Sequence, residues 1–299
     1  MDDFFPVVIF TKPPGALLIY DTSHWCDEGA VTQISVIVPS FNQGRFIEET
    51  LQSVLLQGYP ELQLVVMDGG SNDDTVSVLQ KYDHRLEAWV SERDRGQAHA
   101  FNKGLKHVTG EIIGWLNSDD IYLNQCLFGA AEYFFKHQDV DIVFSDYIYI
   151  DENGHYLRGR KEPRFHYSTY LWAGDCFHAN CAGFFRRKVF DRIGELDETL
   201  HFGMDYEFYL RAGKAGVRFG HVRTYWGGYR LHQASKSVVS HDLQLIDASR
   251  ITTRYRPATV GVAGAELRTA LFGTLRIIRK AFLGSYLLRK PDLVAPAGF

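Results

Sequence analysis

The sequence predicts an α/β protein: a mixed, mainly parallel sheet flanked by helices and followed by a helical tail. Three observations carry that expectation. Short β-branched runs alternate with stretches of helical apolar spacing, the pattern of a parallel sheet covered on both faces. Polar and acidic residues stand directly after three of the strand runs, where open α/β sheets gather ligands. Beyond Ser240 the pattern turns helical and basic.

Ile34-Ser35-Val36-Ile37-Val38-Pro39 reads as a strand ended by proline, and Phe46, Thr50, Leu51, Val54 and Leu55 then recur at helical spacing. Residues 62–67 form a second apolar run that enters Asp68-Gly69-Gly70-Ser71-Asn72-Asp73-Asp74, and Val76 and Leu79 suggest a helix beyond it. A strand at 86–90, a helix at 97–107 and a strand at 111–116 continue the alternation. A helix starting near Leu123, a strand at 141–144, a hairpin around Asp151-Glu152-Asn153-Gly154 and a helix beginning near Asp205 follow. The polar ends Pro39-Ser40-Phe41-Asn42, Asp68-Gly69-Gly70 and Asn117-Ser118-Asp119-Asp120 should therefore meet at one sheet edge. Expected boundaries are an N-terminal extension over 1–31, for which the sequence suggests no function, a catalytic domain over 32–238 and a basic helical tail over 239–299.

With 299 residues, 45% of them hydrophobic and 23% charged, the chain can bury one substantial core, and no low-complexity tract argues for disorder. Cys26, Cys126, Cys176 and Cys181 form no C-x-x-C pair, so a reduced, cytoplasmic setting is expected. Asp2 and Asp3 stand where a secretion signal would be basic, and no run approaches the roughly 20 apolar residues of a membrane span. Residues 250–290 hold nine Lys or Arg against one acid, Glu266; that +8 leaves −12 for the rest of a chain of net charge −4. Such asymmetry marks a tail that meets an anionic surface, membrane or nucleic acid.

Each candidate site residue has two readings. Asp68 suits a base or ribose contact or a plain aspartate–glycine turn. Asp73 and Asp74 read as helix caps. Asn117-Ser118-Asp119-Asp120 offers hard oxygen ligands for Mg2+ or Mn2+, or a capping segment. Asp205 stands where either a cap or a general base would. Glu207 would point away from it on a helix. Arg230-Leu231-His232-Gln233-Ala234-Ser235-Lys236 suits a leaving diphosphate or a polar surface loop. His99, His178 and His201 read as structural or solvent-facing.

Taken jointly, these segments resemble the family 2 glycosyltransferases, over about residues 34–236. The specific portions are Ser35-Val36-Ile37-Val38-Pro39-Ser40-Phe41-Asn42, Val65-Val66-Met67-Asp68-Gly69-Gly70-Ser71, Asp94-Arg95-Gly96-Gln97, Asn102-Lys103-Gly104 and Thr109-Gly110-Glu111-Ile112-Ile113-Gly114-Trp115-Leu116-Asn117-Ser118-Asp119-Asp120. The resemblance implies a GT-A fold and an inverting, non-processive transfer from a nucleoside-diphosphate sugar, a UDP-sugar foremost, to a glycan or lipid-linked acceptor in polysaccharide biosynthesis. It implies that Pro39, Phe41 and Asn42 line the nucleoside pocket, that Asp68 binds the base, and that Asp94 and Lys103 contact the donor. The D-x-D motif falls on Asn117-Ser118-Asp119, with Asn117 replacing its first acid. Asn117 and Ser118 are then donor contacts, Asp119 and His232 hold the divalent cation, and Arg230, His232 and Lys236 fold over the diphosphate. The base of the family corresponds to Asp205.

Two rivals stand beside this reading. A sugar nucleotidyltransferase would place cations after the first strand, whereas Pro39-Ser40-Phe41-Asn42-Gln43-Gly44 has none. A non-catalytic sugar-nucleotide or glycan-binding protein of the same fold would tolerate Asn117. In the tail, Leu267, Leu271, Leu275, Ile278 and Phe282 share one helical face and Arg276, Arg279 and Lys280 lie toward the other. That arrangement predicts either peripheral attachment at an anionic membrane, on the inner face of the plasma membrane, or a helix packed on the catalytic domain with its basic face in solvent. No nucleic-acid partner is expected.

Overall fold

The computed structural model describes residues 31–233, 235 and 241–285, so Cys26 and Lys236 lie outside the described residues. Nine strands are present among these: β1 (Ile34–Ser40), β2 (Leu62–Asp68), β3 (Ala88–Ser91), β4 (Ile112–Trp115), β5 (Ile121–Tyr122), β6 (Ile142–Ile150), β7 (Tyr156–Arg160), β8 (Gly183–Arg186) and β9 (Phe219–Arg230). The helices are α1 (Ile47–Leu55), α2 (Thr75–Tyr82), α3 (Gln97–Leu105), α4 (Cys126–Lys136), α5 (Tyr167–Ala173), α6 (Lys188–Ile193), α7 (Met204–Lys214), α8 (His241–Tyr255) and α9 (Val262–Phe282).

One sheet runs in the order β3-β2-β1-β4-β8-β6-β9-β5, with β7 paired to β6. Its first four strands are parallel, which aligns Ser40 with Asp68 and Asp68 with Ser91 at their C-terminal ends. The second half is mixed: β8 runs antiparallel to both β4 and β6, while β9 runs parallel to β6 and antiparallel to β5. On one edge of β6, β8 covers Ile142–Phe144 and β7 covers Tyr147–Ile150, so the sheet divides between them. Alternate residues enter two cores. Val36, Val38, Leu64 and Val66 pack with α1 and α4 on one face, and Ile37, Val65 and Met67 with α3 and α7 on the other.

The early strands and helices match the sequence reading to within a few residues. The later elements depart from it. Residues 121–122 pair with Gly227 and Gly228 as β5, and α4 begins only at Cys126. β6 continues to Ile150, and β8 and β9 are additional strands. The glycines, arginines and histidine of β9 hide its strand character from local pattern, because pairing along the whole of β6 decides it. Asp73 does cap α2 locally, its carboxylate accepting the Thr75 and Gly44 N–H groups at 3.0 and 2.8 Å, whereas the Asp74 side chain makes no capping bond.

The tail corrects one expectation. α9 is packed on the body of the sheet, and part of its basic side faces inward: Lys280 Nζ lies 2.8 Å from the buried Glu162 and Arg276 pairs with Asp175, whereas Arg268 and Arg279 stay exposed. Leu267, Leu271, Ile278 and Phe282 are exposed as well, where the sequence reading had only the basic face in solvent. The reason is electrostatic. Glu162 is fully enclosed beside Arg160, and a buried carboxylate needs close cations. No helix among the described residues is long and apolar enough to cross a membrane.

Gly227 is the tightest approach in this half, since a Cβ there would overlap the Cys181 carbonyl group. Gly227→Ala should lower unfolding stability by about 1–3 kcal/mol through forced backbone displacement; a denaturation midpoint equal to the parent's would show that the β9 contact is not tight.

Candidate functional site

A cleft of about 1310 Å3 opens where the C-terminal ends of β1, β2 and β4 meet the division in the sheet. One end is lined by Pro39, Ser40, Phe41, Gln43, Gly69, Gly70 and Asp94, the middle by Asn117, Ser118, Asp119 and Asp120, and the far end by Tyr147, Tyr149, Tyr229 and Leu231. Asp175, Cys176, His178, His201 and Asp205 form a wall from the later half of the chain. The convergence expected of the three polar strand ends is therefore present.

At the centre, Asp119 Oδ2 lies 3.0 Å from His232 Nε2, joining residues 113 positions apart. The His232 ring is buried against Phe46, with ring centroids 4.6 Å apart. Asp120 turns the other way. Its carboxylate accepts the Arg230 N–H at 2.9 Å and the Asn117 amide at 3.3 Å, and burial, with Asp119 beside it, holds its carboxyl well above the usual range. Asn117 also accepts from Gln97 Nε2 at 2.6 Å and from the Trp115 indole at 3.2 Å. An amide can both accept these bonds and donate to Asp120; a second carboxylate there would face the first.

Asp205 sits in the first turn of α7, but it is not the cap. That position is Gly203, whose φ of +68° is one a side chain rarely adopts. The Asp205 carboxylate accepts the Tyr206 N–H at 2.8 Å. Burial raises its proton affinity above the ordinary aspartate value and the charge of Asp175 adds to this, against the Tyr206 N–H and the Cys176 thiol. Glu207 indeed points elsewhere, bonded to Arg211 and to the Tyr255 hydroxyl.

Besides His232, which meets the cleft only through Asp119, four expected donor residues do not line it. Asp68 is buried and satisfied, accepting from the Gly70 and Ser71 N–H groups and from the Ser71 and Ser91 hydroxyls; it shapes the loop from which Gly69 and Gly70 face the cleft. Asn42, at φ 52°, accepts the Asn72 N–H and holds the same pair of loops together. Lys103 is paired with Glu92 at 2.7 Å. Arg230 is enclosed, donating to Asp119 O, Asp151 O and Glu49 Oε2 at 2.7, 3.2 and 2.5 Å. Among the sequence-level histidines, His178 and His201 line the cleft. Tyr147, Tyr149 and Tyr229 of β6 and β9 also line the cleft, and nothing local in the sequence distinguishes a cleft tyrosine from a core one.

Comparison with known proteins decides the family. A model described as "Glycosyl transferase family 2" matches residues 35–194. The chain belongs to glycosyltransferase family 2. An uncharacterized glycosyltransferase of Rickettsia conorii is 26% identical over 221 residues, covering 71% of this chain and 36% of the relative. Chondroitin synthase of Escherichia coli is 25% identical over 217 residues, covering 72% of this chain and 31% of the synthase, so the chain spans about a third of each of these two relatives. Among solved structures, Staphylococcus aureus TarS residues 1–349 in complex with UDP-GlcNAc matches with a TM-score of 0.61 at 20% identity, over 87% of this chain and 77% of that one. A mannosyltransferase of Pyrobaculum calidifontis in complex with GDP-Man and Mn2+ matches with a TM-score of 0.58 at 19% identity, over 90% and 82%. These likenesses show the GT-A-like fold.

Removing Arg230 would leave Glu49 and two carbonyls without their partner inside the loop assembly. Arg230→Ala should therefore destabilise the protein by about 3–5 kcal/mol, as for breaking a buried pair, read as a lower denaturation midpoint; normal stability with only weaker donor binding would return Arg230 to the ligand site.

Proposed function

We propose that this family 2 glycosyltransferase moves a sugar from a nucleoside-diphosphate donor, a UDP-sugar foremost, onto a hydroxyl of a glycan or lipid-linked acceptor, with inversion. The observation that carries the reading is that Asp205, a carboxylate with raised proton affinity, lines the same cleft as Asp119, to which the buried His232 is hydrogen-bonded. The acceptor oxygen bonds to the anomeric carbon while its proton passes to Asp205, and the bond from that carbon to the diphosphate oxygen breaks. The nucleoside occupies the end lined by Pro39, Phe41, Gly69, Gly70 and Asp94, which leaves the tyrosine-lined end to the acceptor.

Asp119 and His232 fit a divalent cation, Mg2+ or Mn2+: one hard oxygen and one imidazole, the remaining positions being left to phosphates and water. Such an ion would offset the charge of the leaving diphosphate. Asn117 lowers the charge of the site by one relative to two acids. The complexes of the two structural neighbours with UDP-GlcNAc and with GDP-Man and Mn2+ support this donor class and cation use. The likeness to chondroitin synthase supports a place in polysaccharide assembly.

Asp205→Asn should leave donor binding intact and slow sugar transfer by about 10²-fold or more, measured as release of nucleoside diphosphate in the presence of acceptor; undiminished turnover would exclude Asp205 as the base. Because burial raises the Asp205 carboxyl, kcat/KM should be retained at higher pH and fall as pH drops through a value above the ordinary aspartate range, and a profile flat through that window would count against the assignment. Asp119→Ala should abolish the chelator-sensitive part of donor affinity in calorimetry; equal affinities with and without chelator in the parent would remove the cation from the mechanism. Release of pyrophosphate instead of nucleoside diphosphate would favour a nucleotidyltransferase, and no turnover a binding protein.

A further inference from the structure

The two tail helices lie beyond residues 35–194, the part of the chain that the family model matches. α9 has 21 residues, about 31 Å at 1.5 Å per residue. Part of its polar side is spent on the body through Lys280–Glu162 and Arg276–Asp175. The opposite side presents Leu267, Leu271, Ile277, Ile278 and Phe282, between 44% and 89% exposed. α9 is held by these pairs and by Ala265 and Phe272, which pack against the core, and the contiguous apolar surface left exposed marks an interaction face.

Beside this stripe, a hollow of about 780 Å3 opens between α8 and α9, lined by Val260, Val262, Ala265 and Ala270 with one cation, Arg256, and one acid, Glu266; Arg268 lies outside the lining. Arg256 and Arg268 both stand over the Trp172 ring, at 5.0 and 5.2 Å from its centroid, and the buried Nε of Arg256 has no hydrogen-bond partner. Two cations beside an apolar face fit an anionic headgroup with its acyl chains. Of the tail cations, Arg250, Arg254, Arg276 and Lys280 are paired with Asp247, Asp197, Asp175 and Glu162, which leaves Arg256, Arg268 and Arg279 among the described residues to meet a negative surface.

We infer that α9 and the hollow beside it are a docking surface for an anionic bilayer, with the helix lying in the interface plane and its leucine stripe in the acyl boundary. The latch Arg276–Asp175 sets the orientation. Asp175 lines the catalytic cleft, so the docked helix holds that cleft beside the membrane, where a lipid-linked acceptor would be met.

The test uses the full chain with phosphatidylcholine vesicles, with and without phosphatidylglycerol, in co-sedimentation. The parent should bind the phosphatidylglycerol vesicles and release them in high salt. L271E/F282E should reduce partition at least about tenfold, with unchanged circular dichroism and donor hydrolysis. R256Q/R268Q should lose about fivefold for each cation removed, and only on the anionic vesicles. Failure of the parent to bind, or equal partition of parent and L271E/F282E, would overturn the inference, as would a parent dimer that L271E/F282E turns into monomers without any vesicle effect. Donor hydrolysis is read separately, so loss of docking with intact hydrolysis leaves the catalytic reading standing.

Discussion

The catalytic half of the molecule depends on one knot of charge. Arg230, at the end of β9, gives its N–H to the buried carboxylate of Asp120 and its guanidinium to Asp119 O, Asp151 O and Glu49. Four separate pieces of chain meet at that one side chain: α1, the loop after β4, the hairpin after β6, and β9 itself. Burying a guanidinium is favourable only when its donors find acceptors, so the knot forms as a unit or not at all. Its effect on the site is indirect: it fixes the backbone of Asp119, so that the Asp119 carboxylate and the His232 imidazole meet at 3.0 Å.

The same knot explains why an amide stands at position 117. Asp120 is enclosed, next to Asp119, and already reluctant to ionise. A neutral neighbour that donates to it, while accepting from Gln97 and Trp115, removes a repulsion that an acid would add. The acids that line the cleft beside Asp120 are Asp119, Asp94, Asp175 and Asp205.

The parallel half of the fold was legible because its strands are short, mostly apolar and separated by well-marked polar ends. The convergence of residues 39–42, 68–70 and 117–120 follows directly from that alternation. What could not be read locally were features decided by distant partners. β9 is a strand only because β6 lies along it, and Arg230 looked like a phosphate ligand because nothing in residues 230–236 announces Glu49 or Asp151 as its neighbours. Asp68 was misleading in the same way, since its carboxylate is consumed by Ser71 and Ser91 rather than displayed. The amphipathic face of α9 was visible in the sequence. Its direction was not, because the buried Glu162 that draws Lys280 inward lies more than a hundred residues upstream.

The parallel pairing of β9 with β6 also orders events in time. Residues emerge from the ribosome in sequence, so residues 39–97, which line the end proposed for the nucleoside, are made before Asp205 and before the His232 that meets Asp119. That end is not finished early, because Ile37, Val65 and Met67 share their core with Tyr206, Phe208 and Tyr209 of α7. Because β1 and β2 pack with α7 and the cleft ends on Tyr229 of β9, the site is complete only when the last strand of the sheet is in place.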